Sequence, residues 1–340
     1  MSISTYIHHF VVSNVLTLVY SLYSLIILAI SYLKSLVSEA RPKPGLIPPS
    51  CLADPKYGVH KYIKVNNIKL HYVESGDPSK PLMLFVHGFP EFWYSWRHQI
   101  VEFQKDYWCI AVDMRGYGDS ERPEGVSSYK LDLLVEDIRD LIRQLGREKF
   151  IMVAHDWGGL VGFEYRDRHP DTLSGYVSLG STSRHSWYRA MWSNTEQLKK
   201  SLYVFLHRAP YISEKLLQIN NLKVIEKIML VPGKDSITKQ DIECYKYWFG
   251  KQYATTPPLN YYRANFSYYL SEKPRCDRKV PMLAVLGNDP FLCHVNLKYL
   301  KEEYEHIETA SIESCGHFLQ QEEPDRVNKL IREFLTKHKL

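Results

Sequence analysis

Phe150-Ile151-Met152-Val153-Ala154-His155-Asp156-Trp157-Gly158-Gly159-Leu160 decides how this chain is read. An apolar run of strand length meets a tight turn of small residues, and a helical pattern follows. Ala154 and Gly158 occupy the two flanking positions where a sharp strand-to-helix elbow needs small side chains. Asp156 stands at the apex, pushed out at the C-terminal end of a sheet. A serine there would need a base to activate it, whereas a carboxylate is already ionised at neutral pH. It attacks an electrophilic carbon directly and leaves an ester on the protein.

Outward from the elbow, β-rich apolar runs recur at 68–74, 81–86, 108–113, 149–154, 174–179, 281–286 and 307–312, with helical stretches between them. This alternation predicts a largely parallel sheet covered on both faces. The helix after the elbow is expected over 158–169 and ends at His169-Pro170-Asp171, where proline blocks continuation. From about 181 to 274 the strand signal disappears and a helical pattern dense in Tyr, Trp and Lys takes over. It reads as a helical cap inserted after the sixth strand. With its elbow the chain resembles the α/β-hydrolase fold, which implies a mostly parallel eight-stranded sheet, one strand more than the seven runs. Its expected division is an anchor at 1–40, a linker at 41–56, core at 57–180, cap at 181–274 and core again at 275–340.

No charged residue occurs from Phe10 to Leu33. A helix of that length spans about 36 Å, enough for about 30 Å of hydrocarbon. Tyr20, Tyr23 and Tyr32 suit the interfaces. The stretch is long for a cleaved leader and no basic residue precedes it, so an uncleaved single-pass anchor is expected, although Ser38-Glu39-Ala40 is a faint cleavage-like pattern. Lys34, Arg41 and Lys43 follow the span and only His8 and His9 precede it, which predicts a cytosolic domain, with the endoplasmic reticulum as the expected membrane. Arg41-Pro42-Lys43-Pro44-Gly45 and Pro48-Pro49 read as a stiff linker. The sequon Asn265-Phe266-Ser267 would stay silent in the cytosol.

The 340 residues suffice for one large domain with an insertion, and 45% apolar with 24% charged residues is an ordinary globular balance. A net charge of +5 without a basic run interleaved with aromatics argues against nucleic-acid binding. Six scattered cysteines (Cys51, Cys109, Cys244, Cys276, Cys293, Cys315) form no CxxC pair, which predicts reduced thiols rather than a disulfide framework or a zinc site.

An ester at Asp156 must be cleaved by water, and that water needs a base, usually a His oriented by a buried carboxylate. The chain order nucleophile, acid, His offers Asp289 in Gly287-Asn288-Asp289-Pro290-Phe291 and His317 in Ser314-Cys315-Gly316-His317-Phe318, each after a late strand. The oxyanion donors expected are the backbone N–H groups of Trp157 and of Phe89 in His87-Gly88-Phe89-Pro90-Glu91. His87 is expected to stabilise its turn, and His155 to point away from the pocket. An epoxide would also need an acid for its developing alkoxide, and tyrosine suits that role. Composition does not select one, since the cap region holds ten tyrosines.

His87-Gly88-Phe89-Pro90-Glu91-Phe92-Trp93-Tyr94-Ser95-Trp96, Asp113-Met114-Arg115-Gly116-Tyr117-Gly118-Asp119-Ser120 and His155-Asp156-Trp157-Gly158-Gly159 together resemble an epoxide hydrolase of the α/β-hydrolase fold, over about residues 60 to 340. The apolar N-terminus makes the chain most similar to the membrane-bound epoxide hydrolase 3 and 4 group. The resemblance implies a cis peptide before Pro90 and two cap tyrosines that hold the epoxide oxygen. These are Tyr203, followed seven residues later by Pro210, and Tyr262, in Pro258-Leu259-Asn260-Tyr261-Tyr262-Arg263. It implies no metal or organic cofactor, and a small lipophilic epoxide, such as a fatty-acid or lipid epoxide, as substrate. Oligomeric state stays open. The chain departs from the family at Gly287, where a Glu often precedes the triad acid by two residues. Haloalkane dehalogenases are similar in fold, nucleophile and following Trp, but commonly carry Asn at the position of Phe89 and need no tyrosine pair. A non-catalytic membrane-anchored binding protein would be expected to have a broken catalytic set.

Overall fold

Eight strands, β1 (Val59–Val65), β2 (Ile68–Ser75), β3 (Leu82–Val86), β4 (Trp108–Val112), β5 (Phe150–His155), β6 (Leu173–Leu179), β7 (Met282–Gly287) and β8 (Ile307–Ile312), form one sheet in a computed structural model. The structure describes residues 3–37, 47–230, 236–266 and 279–340. The strand order is β1-β2-β4-β3-β5-β6-β7-β8. The pairs β1/β2 and β2/β4 are antiparallel and the rest parallel. This is the α/β-hydrolase fold expected from the sequence. Strands β3, β4 and β5 are buried along their whole length, as strands covered on both faces must be. Each fully buried Val, Leu or Phe there contributes about 1.5–3 kcal/mol before entropy is counted.

Helices α1 (Ile3–Val37), α2 (Arg97–Phe103), α3 (Leu131–Gln144) and α4 (Trp157–Arg168) precede or interleave with the strands. Helix α3 buries Leu131, Leu134, Val135, Ile138, Leu141 and Ile142, the spacing of a single helical stripe. Between β6 and β7 the chain is helical: α5 (Arg184–Ser193), α6 (Thr195–Lys200), α7 (Leu202–His207), α8 (Ile212–Met229), α9 (Lys239–Phe249) and α10 (Thr256–Asn265). Helix α8 is broken by left-handed φ angles at Asn220, Asn221 and Leu222. After β7 come α11 (Val295–Glu303), α12 (Leu319–Glu322) and α13 (Pro324–His338).

Strand β1 has no counterpart among the apolar runs. Most of its residues are exposed, so hydrophobic patterning does not mark it. It is an edge strand ordered by pairing with β2 through the two-residue loop Asn66-Asn67, both at positive φ.

Helix α1 is the apolar helix expected at the N-terminus. The sequence set residues 1–40 apart from the folded domain, but one face of α1 rests on the cap. The His9 ring stacks on Trp192 with centroids 3.9 Å apart, and Leu16 packs with Tyr188, Met191 and Phe205. The opposite face exposes Phe10, Val15, Leu18, Leu22 and Ile26. Ser38-Glu39-Ala40, Arg41-Pro42-Lys43-Pro44-Gly45 and Ser267 lie outside the described residues. Asn265 of the sequon is committed to the fold: its Nδ2 donates to the Tyr129 and Tyr261 carbonyls, and its Oδ1 accepts from the Leu131 N–H. That amide is occupied whichever side of a membrane the domain faces.

Candidate active site

Asp156 joins β5 to α4 with φ 49° and ψ −118°. For a residue with a Cβ this costs on the order of 1–3 kcal/mol and persists only where surroundings impose it. The Asp156 N–H donates to the Leu179 carbonyl at 3.3 Å, and its own carbonyl accepts from Ser181 Oγ at 2.7 Å and from Leu160 N at 3.0 Å. The carboxylate then faces the loop after β3, where the Phe89 N–H donates to Asp156 Oδ1 at 2.7 Å. A Cβ on Gly88 would lie 2.4 Å from the same oxygen, so only glycine lets this loop come so close. The Phe89–Pro90 peptide is cis. Trp157 opens α4, and a first-turn N–H has no partner within its own helix.

His317 lies between two carboxylates. Its Nδ1 donates to Asp289 Oδ2 at 2.7 Å, and its Nε2 is 3.6 Å from Asp156 Oδ2. Asp289 is itself oriented: its Oδ1 accepts from Phe291 N at 2.7 Å and from Leu292 N at 3.1 Å. Burial alone would push the His317 pKa down, but the charges and hydrogen bonds of Asp289 and Asp156 override it and hold it well above 6.5. Burial would raise Asp156, but His317 and the Phe89 N–H hold it below the usual carboxylate value. Each partner thus favours the charged form of the other.

The departure at Gly287 has a steric counterpart. A Cβ there would meet the Gly316 carbonyl at 2.2 Å and that of Cys315 at 2.5 Å. Any side chain would wedge apart the two loops that carry Asp289 and His317, so here close backbone approach stands where a Glu was expected.

Tyr203 on α7 and Tyr262 on α10 face each other with ring centroids 6.0 Å apart. With Asp156, Trp157 and His317 they line one cavity of about 80 Å³. Phe89 does not line it and reaches the site through its N–H. Burial pushes both tyrosines well above 10, with the Asp156 charge adding to the effect, so each hydroxyl keeps its proton. Tyr262 packs edge-on to Trp157 at 4.9 Å and to Phe89 at 5.8 Å; Tyr203 packs on Phe291 at 5.1 Å.

Three groups support the site, and for Glu91 and His207 the sequence suggests no role. Glu91 is fully buried and accepts from Gly88 N, His155 Nδ1, Gln320 Nε2 and Gln321 Nε2. Burial would raise its pKa, but the His155 ring and these donors hold it below the usual carboxylate value. His155 points away from the cavity as expected, yet its Nε2 donates to the His317 carbonyl at 2.9 Å. Glu91 thus ties the loop after β3, through His155, to the His317 loop. The Glu91 position was visible in the motif, but its partners lie 229 and 230 residues away in sequence. His207 of α7 is the third. Its ring touches Tyr203, Tyr262 and Phe89, and burial pushes it down to about 3, leaving it a neutral wedge behind both tyrosines. His87 holds its turn as expected: Nε2 accepts from Met114 N and Nδ1 donates to the Gly88 carbonyl. Asp113 secures the same region by accepting from Trp93 N, Asp119 N and His71 Nδ1.

The family model for the alpha/beta hydrolase fold matches residues 81–208. Epoxide hydrolase 3 of Xenopus tropicalis is 36% identical over 309 residues, covering 88% of this chain and 84% of that protein. Epoxide hydrolase 4 of Homo sapiens is 33% identical over 298 residues, covering 85% and 82%. Among solved structures, a Bacillus megaterium epoxide hydrolase in complex with an inhibitor superposes with a TM-score of 0.75 at 32% identity, covering 81% of this chain and all (100%) of that one.

Proposed function

The chain belongs to the epoxide hydrolases of the α/β-hydrolase fold, and on that premise we propose that it opens lipophilic epoxides to vicinal diols in two steps through an Asp156 ester. The observation that carries this reading is the line of charges Asp156, His317, Asp289, with the Phe89 N–H on Asp156 Oδ1 at 2.7 Å. In the first step the Asp156 carboxylate attacks an epoxide carbon while Tyr203 and Tyr262 donate to the ring oxygen. The C–O bond breaks, the alkyl ester forms, and the oxygen takes a proton from a tyrosine, which is reprotonated by the proton that His317 gives up. Esterification removes the Asp156 charge, one of the two that hold His317 protonated. His317 then becomes easier to deprotonate and can serve as the base. In the second step it takes a proton from water, which attacks the ester carbonyl. The Phe89 and Trp157 N–H groups stabilise the oxyanion, and the diol leaves.

Two features support a lipid epoxide. Trp187, Tyr188, Val204, Phe266 and Leu292 give the cavity an apolar wall, and Arg184 lines it as well. Arg184 Nε is buried without a hydrogen-bond partner among the described residues, which suits an acyl chain ending in a carboxylate. The run Ile7–Ile30 is long and apolar enough to cross a bilayer. We read it as a single-pass anchor of the endoplasmic reticulum with the domain on the cytosolic side. Insertion must lift α1 off the cap, because Arg208 beside Thr17 does not enter hydrocarbon cheaply. Alkaline extraction and protease protection of microsomes test this: release of the full chain, or luminal protection of the domain, overturns it.

The chemistry is tested with His317→Gln, which leaves ester formation possible but removes the base. Incubation with a fatty-acid epoxide should leave the substrate's mass on the peptide carrying Asp156. A peptide that stays unmodified while diol still forms would overturn the mechanism.

A further inference from the structure

Cys51 and Cys244 lie 193 residues apart in sequence, and their sulfurs are 3.1 Å apart in space. Cys51 sits in the turn Ser50–Ala53 that leads into the core, partly exposed; Cys244 is buried on cap helix α9. Both are free thiols. Bonded sulfurs stand about 2.05 Å apart, so closing the gap asks for a shift of about 1 Å. We propose that Cys51 and Cys244 form a reversible dithiol–disulfide site that clamps cap helix α9 to the entrance of the core.

The surroundings say what such a bond would hold. Helix α9 meets the core through polar contacts close to the pair. Tyr94 Oη donates to Asp241 at 3.0 Å, Arg97 Nε lies 3.2 Å from the same oxygen, and Tyr245 Oη donates to Gln321 Oε1 at 2.8 Å. Phe249, at the end of α9, packs against Phe89, whose N–H serves the nucleophile. A bond at Cys244 therefore fixes the cap helix that lies over the oxyanion loop. Burial and the neighbouring Cys51 hold the Cys244 thiol high, which leaves the more exposed Cys51 as the first to react.

With a peroxide as oxidant the chemistry balances. The Cys51 thiolate attacks a peroxide oxygen, the O–O bond breaks, and a sulfenic acid and water result. The Cys244 sulfur attacks the sulfenic sulfur, its proton goes to the departing hydroxyl, and the disulfide forms with a second water. Two thiols and one hydrogen peroxide give one disulfide and two waters. A small-molecule dithiol reverses the step by exchange. In a reducing compartment the pair rests as thiols and closes only under oxidant.

The test uses the full chain in detergent, treated with hydrogen peroxide and digested without reductant. The expected result is a peptide linking Cys51 to Cys244 in protein that still turns over epoxide. Its thermal midpoint should rise by roughly 4–8 °C and fall back with dithiothreitol. Cys51→Ser and Cys244→Ala should each abolish the link and the shift while leaving turnover of the untreated enzyme unchanged. Native, active protein in which peroxide yields no such link overturns the proposal. So does a link with an unchanged midpoint, or a shift that survives in both variants.

Discussion

Asp156 and Asp289, at the ends of core strands, are held by directional hydrogen bonds. The first takes the Phe89 N–H and the second takes those of Phe291 and Leu292 together with the His317 ring. Tyr203 and Tyr262, on the cap, take no backbone donor onto a charged group; they are packed by ring edges against Phe291, His207, Trp157 and each other, with a hydrogen bond between their neutral hydroxyls. Hydrogen bonds to charged groups fix an atom within a few tenths of an ångström and are lost at a cost of about 1.5–3 kcal/mol. Aromatic edge contacts are worth about 0.5–1.5 kcal/mol and tolerate sliding. On the proposed mechanism the core would carry the chemistry that needs fixed geometry, and the cap would carry donors that follow the substrate.

Substitutions that break this division should rank accordingly. Asp156→Ala removes the nucleophile and should lower kcat by at least about 10⁴-fold, with epoxide binding retained; residual diol formation within tenfold of the parent would refute the assignment. On the cap, Tyr203→Phe and Tyr262→Phe should each slow ester formation by about 10–100-fold, because one hydroxyl remains. The double variant should lose far more than either. Stopped-flow tryptophan fluorescence resolves that step, and a double variant no slower than the singles would show that the hydroxyls do not share the oxygen.

Acidity should separate the two steps. Ester formation needs ionised Asp156, whose pKa is depressed, so its rate should stay level down to below the usual carboxylate range. Ester hydrolysis needs neutral His317, whose pKa Asp289 still raises against burial once Asp156 is esterified, so that rate should fall as pH drops through the His317 value. The ester should accumulate on acidification, as acid quench and intact-mass measurement would show; equal pH profiles for both steps would count against the charge argument. The smallest effect belongs to the cavity wall. Arg184→Met should raise KM for an epoxy fatty acid by about tenfold and leave its methyl ester unaffected. Equal KM for acid and ester in the parent enzyme would remove Arg184 from substrate recognition.

The same division governs what the sequence discloses. Asp156 and Asp289 follow the ends of fully buried strands and His317 follows the partly buried edge strand β8, and a strand end in this fold has one place in space. Strand β1 stayed hidden because its side chains face solvent and its order comes from β2. Tyr203 and Tyr262 were chosen among ten cap tyrosines only through local resemblance, since packing helices carry no positional code. Glu91, His207 and the Cys51–Cys244 approach depend on contacts between distant segments, which periodicity does not record. Helix α1 reads as an isolated apolar span, and its rest on Trp192 and Arg208 is a matter of tertiary packing.

The most direct test of the central claim is a single turnover, with enzyme in excess over a fatty-acid epoxide, in heavy-oxygen water. An Asp156 ester predicts that the first diol carries ordinary oxygen from the carboxylate, while the heavy isotope appears in the Asp156 peptide. A first-turnover diol carrying the heavy isotope, with an unlabelled Asp156 peptide, would mean that water attacks the epoxide directly and would contradict the account.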